Sequence, residues 1–171
     1  MKRVVANSSP LIYLSKVKAL HLLFSIYEEV LIPSGVYNEV VAKGLEKGYE
    51  DATVVKNAVE KGLIKVCDVP RERVTRLLKI FPELDWGEGE TLALASSLKL
   101  QHVLVDDILA RRVASMMGLK PHGTIYIIIV AARRGIITSK EALKLLDELV
   151  ERGFRISIEV YIRARKILKR F

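Results

Sequence analysis

Short apolar runs alternate along this chain with segments in which apolar residues recur every three or four positions. Four runs, at 3–6, 29–32, 64–69 and 102–105, are largely apolar, as strands buried on both faces of a parallel sheet are. The segments between and after them have the periodicity of amphipathic helices. The alternation predicts an α/β fold built on a central parallel sheet.

Helix boundaries are indicated by prolines and hydroxyl residues. Pro10 suits the first helical position behind a Ser9 cap, and a Pro-Ser pair begins a second helix that runs to about residue 47. The Thr-Ser-Lys-Glu stretch at 138–141 has the spacing of a capping box. Further helices are predicted at 51–61, 71–80, 87–100, 108–117, 140–151 and 158–170.

The segment 125–132, IYIIIVAA, is ambiguous. Its β-branched residues favour a strand, but its position after Gly123-Thr124 and before an Arg-Arg-Gly stretch favours a buried helix, which we predict. The segment can serve the core or a subunit contact. It is the longest apolar run and is too short to cross a bilayer, and the chain opens without a leader, so we expect a cytoplasmic protein.

The composition is that of a folded domain. The 171 residues are 50% apolar and 28% charged, enough for a single domain over 1–171 with its own core. The one cysteine, Cys67, has no internal disulfide partner and is predicted to be a buried thiol. One Gln, three Asn and many Lys, Arg and Glu resemble thermophile usage.

Charge is distributed unevenly along the chain. The net charge is +8, with 14 basic and 15 acidic residues in 1–107, and 14 and 5 in 108–171. Basic surface raises the local concentration of polyanions such as nucleic acid. The same charge is also found on the solvated faces of ordinary basic proteins.

Oxygen ligands fall where two of the predicted strands end. Asn7 follows the first strand and Asp106 and Asp107 follow the fourth, and ligands of parallel α/β sheets bind at this edge. Glu39 and Glu90 lie on predicted helices beside apolar residues. Carboxylates gathered in this way repel one another unless a hard cation such as Mg²⁺ or Mn²⁺ neutralises them.

Each of these acids also has a purely structural interpretation, because acids stabilise helix N-termini as caps or through the dipole. Other chemistries are disfavoured by the sequence. The three histidines form neither an HExxH pair nor a Cys/His zinc pattern, and no GxGxxG or Walker A motif is present.

Five motifs together span nearly the whole chain: VVANSSPLIYLSKV, EVLIPSGVYNEVV, LDWGEGETLALASSL, HVLVDDILARRVASMMGL and HGTIYIIIVAARRGII. In this order and spacing they resemble the PIN-domain superfamily and, within it, the VapC-toxin-like DUF3368 family. The resemblance implies a three-layer α/β/α sandwich with an acidic pocket that binds Mg²⁺ or Mn²⁺ and cuts single-stranded RNA. It also implies homodimers, and a toxin role in which a small antitoxin protein is the partner.

Transferred from the family, the second, third and fourth acids fall on Glu39, Glu90 and Asp106, with Asp107 as an adjacent candidate. Ser9 takes the small-hydroxyl position, where it orients a ligand or caps a helix. The first acid falls on Asn7, where this chain departs from the family pattern. An amide offers one neutral oxygen where Asp offers an anion, so metal affinity is expected to be reduced.

The sequence therefore leaves two main functions open. One is a weakened metal-dependent ribonuclease in which Asn7 helps to orient metal and water, and in which Arg111 and Arg112, one turn beyond the acids, meet phosphate. The other is an inactive module whose basic C-terminal part holds RNA or a partner protein. A phosphatase or receiver-like domain is disfavoured, because it needs Asp after the first strand or a suitably placed Lys.

Overall fold

The computed structural model describes residues 3–171 and contains five parallel strands in one sheet. The strands are β1 (Arg3–Ala6), β2 (Glu29–Pro33), β3 (Ile64–Cys67), β4 (His102–Leu104) and β5 (Lys120–His122), in the order β3-β2-β1-β4-β5. The four predicted strands are present. The parallel α/β fold expected from the sequence is confirmed.

Helices connect the strands and cover both faces of the sheet. They are α1 (Ser8–Lys16), α2 (His21–Ile26), α3 (Ser34–Tyr37), α4 (Lys43–Glu46), α5 (Glu50–Glu60), α6 (Arg71–Ile80), α7 (Trp86–Ser97), α8 (Ile108–Met116), α9 (Thr124–Arg133), α10 (Ser139–Glu151) and α11 (Ile158–Leu168). A π-helical turn at Asn38–Ala42 joins α3 to α4, so the helix predicted to follow Pro33 is continuous but locally widened.

The two faces of the sheet pack into separate apolar layers because side chains alternate along a strand. Val4 and Ala6 of β1 face a cluster that includes residues of α1, α2, α9, α10 and α11. Val5, between them, faces the second cluster, with residues of α7 and α8. Both faces are buried, which explains why the central strands read as continuous apolar runs.

The strand order reverses between β1 and β4. The chain proceeds outward from β1 to β2 and β3, then crosses back to form β4 beside β1 before reaching β5. Asn7 continues the β1–β4 ladder by donating its backbone N–H to the Leu104 carbonyl, 2.9 Å away. At such a reversal the connections diverge, and a crevice opens at the carboxyl ends of the two strands.

Two elements were missed from the sequence, and the predicted start of the first helix was wrong. Strand β5 contains Pro121 and only three residues, and α2 has only six residues, too few for a clear helical periodicity. Helix α1 begins at Ser8, so Ser9 lies inside the helix and is not its cap. The Ser8 hydroxyl donates a hydrogen bond to the Glu39 carboxylate.

Two further predictions concern buried segments. The segment 125–132 is helical, within α9, as predicted, and Ile127 and Ile128 are fully buried. The prediction of a buried Cys67 was wrong in degree, because β3 is an edge strand with Lys65 and Val66 exposed and the thiol half-buried. Within residues 3–171, no helix has the length and apolar character required to span a membrane.

Candidate functional site

A cleft of about 640 Å³ lies at the carboxyl ends of β1 and β4, where the strand order reverses. Its polar lining includes one amide and six carboxylates: Asn7, Glu39, Asp51, Asp85, Glu88, Asp106 and Asp107. Ser8 and Ser9, at the start of α1, complete this part of the surface. We call these residues the acidic floor of the cleft.

Asn7, Ser8 and Glu39 connect β1 to the widened turn after α3. The Ser8 hydroxyl donates a 2.6 Å hydrogen bond to Glu39 Oε2. The Asn7 Oδ1 atom accepts a long bond of 3.4 Å from the Thr91 hydroxyl of α7. Glu39 itself is exposed to the cleft and lies in the π-helical turn, a distortion often found at functional sites.

The start of α7 supplies Asp85 and Glu88. They form a capping box, in which the Glu88 N–H donates to Asp85 Oδ1 at 2.7 Å and the Asp85 N–H donates to Glu88 Oε2 at 3.0 Å. Burial raises the pKa of Glu88 above its usual value, against a lowering contribution from the Asp85 N–H. The carboxylates of Asp85, Asp107 and Glu39 raise that pKa further, so these acids interact unfavourably through space.

Asp106 is held at the N-terminus of α9. The backbone N–H of Thr124 donates to its Oδ1 and the Thr124 hydroxyl to its Oδ2, both at 2.7 Å. Burial raises the pKa of Asp106, while these two bonds, the charge of Arg111 and the Ser9 hydroxyl act against it. The carboxylate is therefore fixed in position, and it stabilises the positive end of the α9 dipole.

Gly123 makes this arrangement possible. A Cβ at that position would lie 2.7 Å from Asp106 Oδ1 and 3.0 Å from Arg111 Nη1, closer than side chains tolerate. Asp107, one residue further along, accepts a 2.9 Å bond from the Ala110 N–H and caps α8. The capping interpretation of the acids that follow β4 is thus confirmed for Asp107.

Gly87 leaves an open space in the acidic floor. A Cβ at Gly87 would lie 3.5 Å from Asp85 Oδ1, 3.6 Å from Glu39 Oε2 and 3.7 Å from Asn7 Oδ1. Three oxygen atoms from three separate elements therefore face the same small volume. It is free only because residue 87 has no side chain.

Glu90 does not share the cleft with Glu39 and Asp106, contrary to the convergence expected from the sequence. It is buried at 7% exposure, and its carboxylate packs against Gly35 of α3, where a Cβ would come within 1.9 Å of Oε2. That Oε2 atom makes no hydrogen bond in the described part of the chain. Two residues earlier on α7, Glu88 is directed into the cleft instead.

The arginines predicted to meet phosphate also lie outside the cleft lining. The Arg111 guanidinium turns inward, 3.4 Å from the Val105 carbonyl, and its charge offsets that of the half-buried Asp106 carboxylate. Arg112 is exposed on α8. Within the described chain, the basic residues that line the cleft are Lys16 and Arg155.

The acidic floor fits a divalent cation in donor type and charge, but its spacing is not that of a closed metal site. Among residues 3–171, no group of three or more His, Cys, Asp or Glu side chains is arranged to hold a metal ion. Carboxylate and amide oxygens are nevertheless the donors that Mg²⁺ and Mn²⁺ prefer, and the mutual repulsion around Glu88 is what a cation would relieve. Side-chain rotation around the space beside Gly87 would be required.

Several residues of this site were not assigned a role from the sequence. Glu88 is one of them, and it lies two residues before Glu90 on α7, so its side chain faces a different direction from that of Glu90. Thr124 contacts Asp106 across 18 residues of sequence, with Gly123 beside it, and no local pattern reveals such a contact. The Gly-Glu-Gly-Glu stretch was the available signal for Gly87.

Comparisons with known proteins bear on the fold and the family. A crystal structure of PAE2754 from Pyrobaculum aerophilum is similar, with a TM-score of 0.50 and 19% sequence identity over 70% of this chain and 90% of that one. At that identity the likeness supports the fold alone. No protein with a curated description matches. A family model described as a PIN domain, DUF3368, matches residues 3–170, and the chain therefore belongs to the DUF3368 family of PIN domains.

Proposed function

We propose that this chain is a divalent-metal-dependent ribonuclease that acts on single-stranded RNA with low activity. PIN domains are nuclease-type folds that generally depend on divalent metal and are associated with RNA. The observation that carries the proposal is the acidic floor at the point where the strand order reverses. Its carboxylates repel one another, and the basic residues of the lining are too few to neutralise them.

In this proposal Glu39, Glu88 and Asp106 are the principal acids, with Asp107 and Asn7 as further oxygen donors. A divalent ion bound there would supply an activated water and would neutralise charge on a phosphate during in-line attack. Thr124 and Arg111 hold the Asp106 carboxylate. Ser8 holds Glu39 in the same way, and Ser9 acts on Asp106.

Asn7 accounts for the low activity in the proposal. Its Oδ1 atom faces the space beside Gly87 together with the oxygens of Glu39 and Asp85, so the position takes part in the site geometrically. An amide at this position removes one negative charge from the donor set. Replacing it with Asp is therefore expected to strengthen metal binding and cleavage.

A second candidate is an inactive module that binds RNA or a partner protein. Asn7 favours it, and so does the use of Asp106 and Asp107 as helix caps, because a carboxylate with a structural bond is less available to a metal. This candidate predicts RNA binding that persists in chelator and decreases steeply with salt.

The toxin role, the small antitoxin partner and the homodimer are proposals that rest on family membership. The apolar residues exposed on α11, which include Ile158 and Ile162, offer area for a protein contact. Measurement of the solution molar mass, alone and with the product of any small neighbouring gene, tests both assemblies.

The test is cleavage of a labelled single-stranded RNA in Mn²⁺, with and without chelator. We expect chelator and Glu39→Gln each to abolish cutting and Asn7→Asp to increase it about tenfold, the scale of a change around a metal site. Glu60→Gln, an exposed acid of α5 remote from the lining, is the control and should cut like the wild type. Cutting that is indifferent to chelator and to Glu39→Gln would exclude the proposed reaction.

A further inference from the structure

The remaining lining of the cleft differs chemically from the acidic floor. Helix α1 begins at the floor with Ser8 and Ser9 and continues along the cleft with Ile12, Tyr13 and Lys16, which share one face at helical spacing. Tyr49, Phe154 and Arg155 line the same cleft from other parts of the chain. We call Tyr13, Lys16, Tyr49, Phe154 and Arg155 the aromatic wall.

Tyr13 is the fixed part of this wall. Its hydroxyl donates a 3.1 Å hydrogen bond to the Gly153 carbonyl, and its ring meets the Phe154 ring edge to face, with 4.9 Å between centroids. The Lys16 ammonium lies 5.3 Å from the Tyr13 ring centroid. These contacts tie the loop between α10 and α11 to α1, so Arg155 is carried on an anchored segment.

Tyr49 is the aromatic residue of the wall without such contacts. The residue is 53% exposed, and among residues 3–171 its ring and hydroxyl have no hydrogen-bond or ring partner. Its backbone is nevertheless fixed, because its N–H donates to the Gly44 carbonyl at 2.9 Å and its carbonyl accepts from the Ala52 N–H of α5 at 3.2 Å. A large planar surface is therefore presented to the cleft from a rigid support.

Charge distinguishes the wall from the floor. Lys16 and Arg155 are both exposed, and they are the basic residues of the cleft lining in the described chain. The floor alone repels a polyanion. A nucleic acid strand that reaches the acidic floor therefore needs cationic contacts nearby, and the wall supplies them in the same cleft lining as the exposed Tyr49 ring.

We propose that the aromatic wall binds an unpaired nucleobase stacked on Tyr49, with a flanking phosphate contacted by Arg155 and Lys16. The inference rests on the proposed function and specifies how its substrate is held. An unpaired base offers a free face to an aromatic ring, whereas a base in a duplex is already stacked on both sides. The wall thus selects single strands without reading their sequence.

The experiment is equilibrium binding, by fluorescence anisotropy in Mg²⁺, of a short single-stranded RNA that is verified to be intact afterwards. We expect Tyr49→Ala to weaken binding about tenfold, within the range measured for loss of one base–aromatic stack. Tyr49→Phe keeps the ring and should bind within twofold of the wild type. Phe171→Ala removes an aromatic residue of similar exposure, 51%, outside the cleft lining and should also have no effect.

An abasic series isolates the stack itself. Removing the base that contacts Tyr49 should weaken wild-type binding about tenfold, and Tyr49→Ala should then add less than twofold. Single-stranded DNA should show the same dependence on Tyr49, whereas duplex RNA should show none. An equal effect of Tyr49→Ala on all abasic and base-bearing oligonucleotides, or no effect on any, would refute the inference.

Salt dependence tests the phosphate contact separately. Arg155→Ala should reduce the slope of log affinity against log salt by about 0.7, the value for one contact to a single strand. Tyr49→Ala should leave the slope unchanged. Arg163→Ala, an exposed arginine of α11 outside the lining, is the matched control. An identical slope in Arg155→Ala and the wild type contradicts a phosphate at this position.

The outcomes separate this inference from the proposed reaction. Binding that depends on Tyr49, without any cleavage, supports the wall and rejects the nuclease. Cleavage that requires Glu39 but is indifferent to Tyr49 and Arg155 supports the nuclease and rejects the wall. Failure of the wild type to bind any oligonucleotide rejects the wall, and thermal unfolding of Tyr49→Ala establishes that the variant is folded.

Discussion

Carboxyl groups at the two ends of the sheet have pKa values shifted in opposite directions. At the amino end, Glu29 of β2 lies beside Arg3 of β1 in register and pairs with it and with Lys65 of β3, whose Nζ lies 2.5 Å from Oε1. These bonds lower the pKa of Glu29. At the carboxyl end, burial and neighbouring acids raise the pKa of Glu88, and burial raises that of Asp106.

This difference separates an acid whose charge is paired within the sheet from acids that have few cationic partners. Glu29 has its charge neutralised by the two strands that flank its own, so it adds to the cohesion of the sheet. The floor acids have local N–H and hydroxyl donors that fix their geometry, but little positive charge to balance them. Unfavourable electrostatics of this kind are common where a protein binds a cation.

The largest expected effect distinguishes Glu88 from Glu90, two acids of nearly equal burial on one helix. Glu88→Gln should lower metal-dependent cleavage by more than about 100-fold, above the usual range for residues that only support a metal ligand. Glu90→Gln should lower it less than threefold, because its carboxylate packs on Gly35 outside the cleft. Cleavage assays of the two variants measure both effects. A larger loss in Glu90→Gln than in Glu88→Gln would mean that Glu90, and not Glu88, is the third acid of the site.

A smaller effect is expected from filling the space beside Gly87. Gly87→Ala introduces a methyl group at ordinary contact distance from the oxygens of Asp85, Glu39 and Asn7. We expect Mn²⁺ affinity to fall about tenfold, the scale of a change next to the ligands. The free energy of unfolding should stay the same or increase by about 0.5 kcal/mol, because alanine favours the helix more than glycine does. Thermal unfolding measures it.

Loss of affinity together with unfolding would instead mean that Gly87 is required by the fold. Gly89→Ala, on the same helix, provides the contrast, because its Cβ would press against Leu78 at 3.0 Å and Val74 at 3.2 Å on the opposite, packed side. That variant should lose stability by overpacking.

The pH dependence should differ between the metal-free protein and the metal-bound protein. Because the folded pKa values of Glu88 and Asp106 are raised, the folded state holds more protons than the unfolded chain just above the ordinary carboxyl range, and stability decreases as pH rises through that window. Metal affinity should increase over the same window, as ionised ligands are needed. Melting temperatures with and without Mg²⁺ across the pH series measure both, and parallel curves would contradict the account.

The smallest effect belongs to the amino end of the sheet. Glu29→Gln should reduce the free energy of unfolding by less than about 1 kcal/mol, the usual range for partly exposed pairs. The loss should disappear in acid, because a lowered pKa stabilises the fold only above the ordinary carboxyl range and that contribution vanishes as pH falls. Cleavage should be unchanged, and urea unfolding at two pH values is the measurement.

The sequence was sufficient for much of the fold because its elements carry local signals. The central strands are buried on both faces and read as apolar runs, and the capping box of Thr138 with Glu141 is present as predicted. Strand β5 carried no such signal, because Lys120 and Pro121 are poor strand residues. It forms through its parallel pairing with β4, which is a tertiary contact.

The candidate site was less predictable for the same reason. Which residues follow β1 and β4 could be read directly, and Asn7, Asp106 and Asp107 lie in the cleft lining. The orientation of helix α7 could not be predicted, because it depends on how α3 and α7 pack. That packing decides whether Glu88 or Glu90 faces the cleft. The inward turn of Arg111 likewise depends on tertiary contacts, with the Val105 carbonyl and the charge of Asp106.

The central claim is that the acidic floor holds one divalent cation and that Asn7 limits its affinity. Mn²⁺ titration followed by electron paramagnetic resonance of the free ion tests it without requiring turnover. The account predicts one saturable site per chain, tightened about tenfold by Asn7→Asp and removed by Glu88→Gln. An absence of saturable binding in both the wild type and Asn7→Asp, or an affinity indifferent to both substitutions, would contradict it.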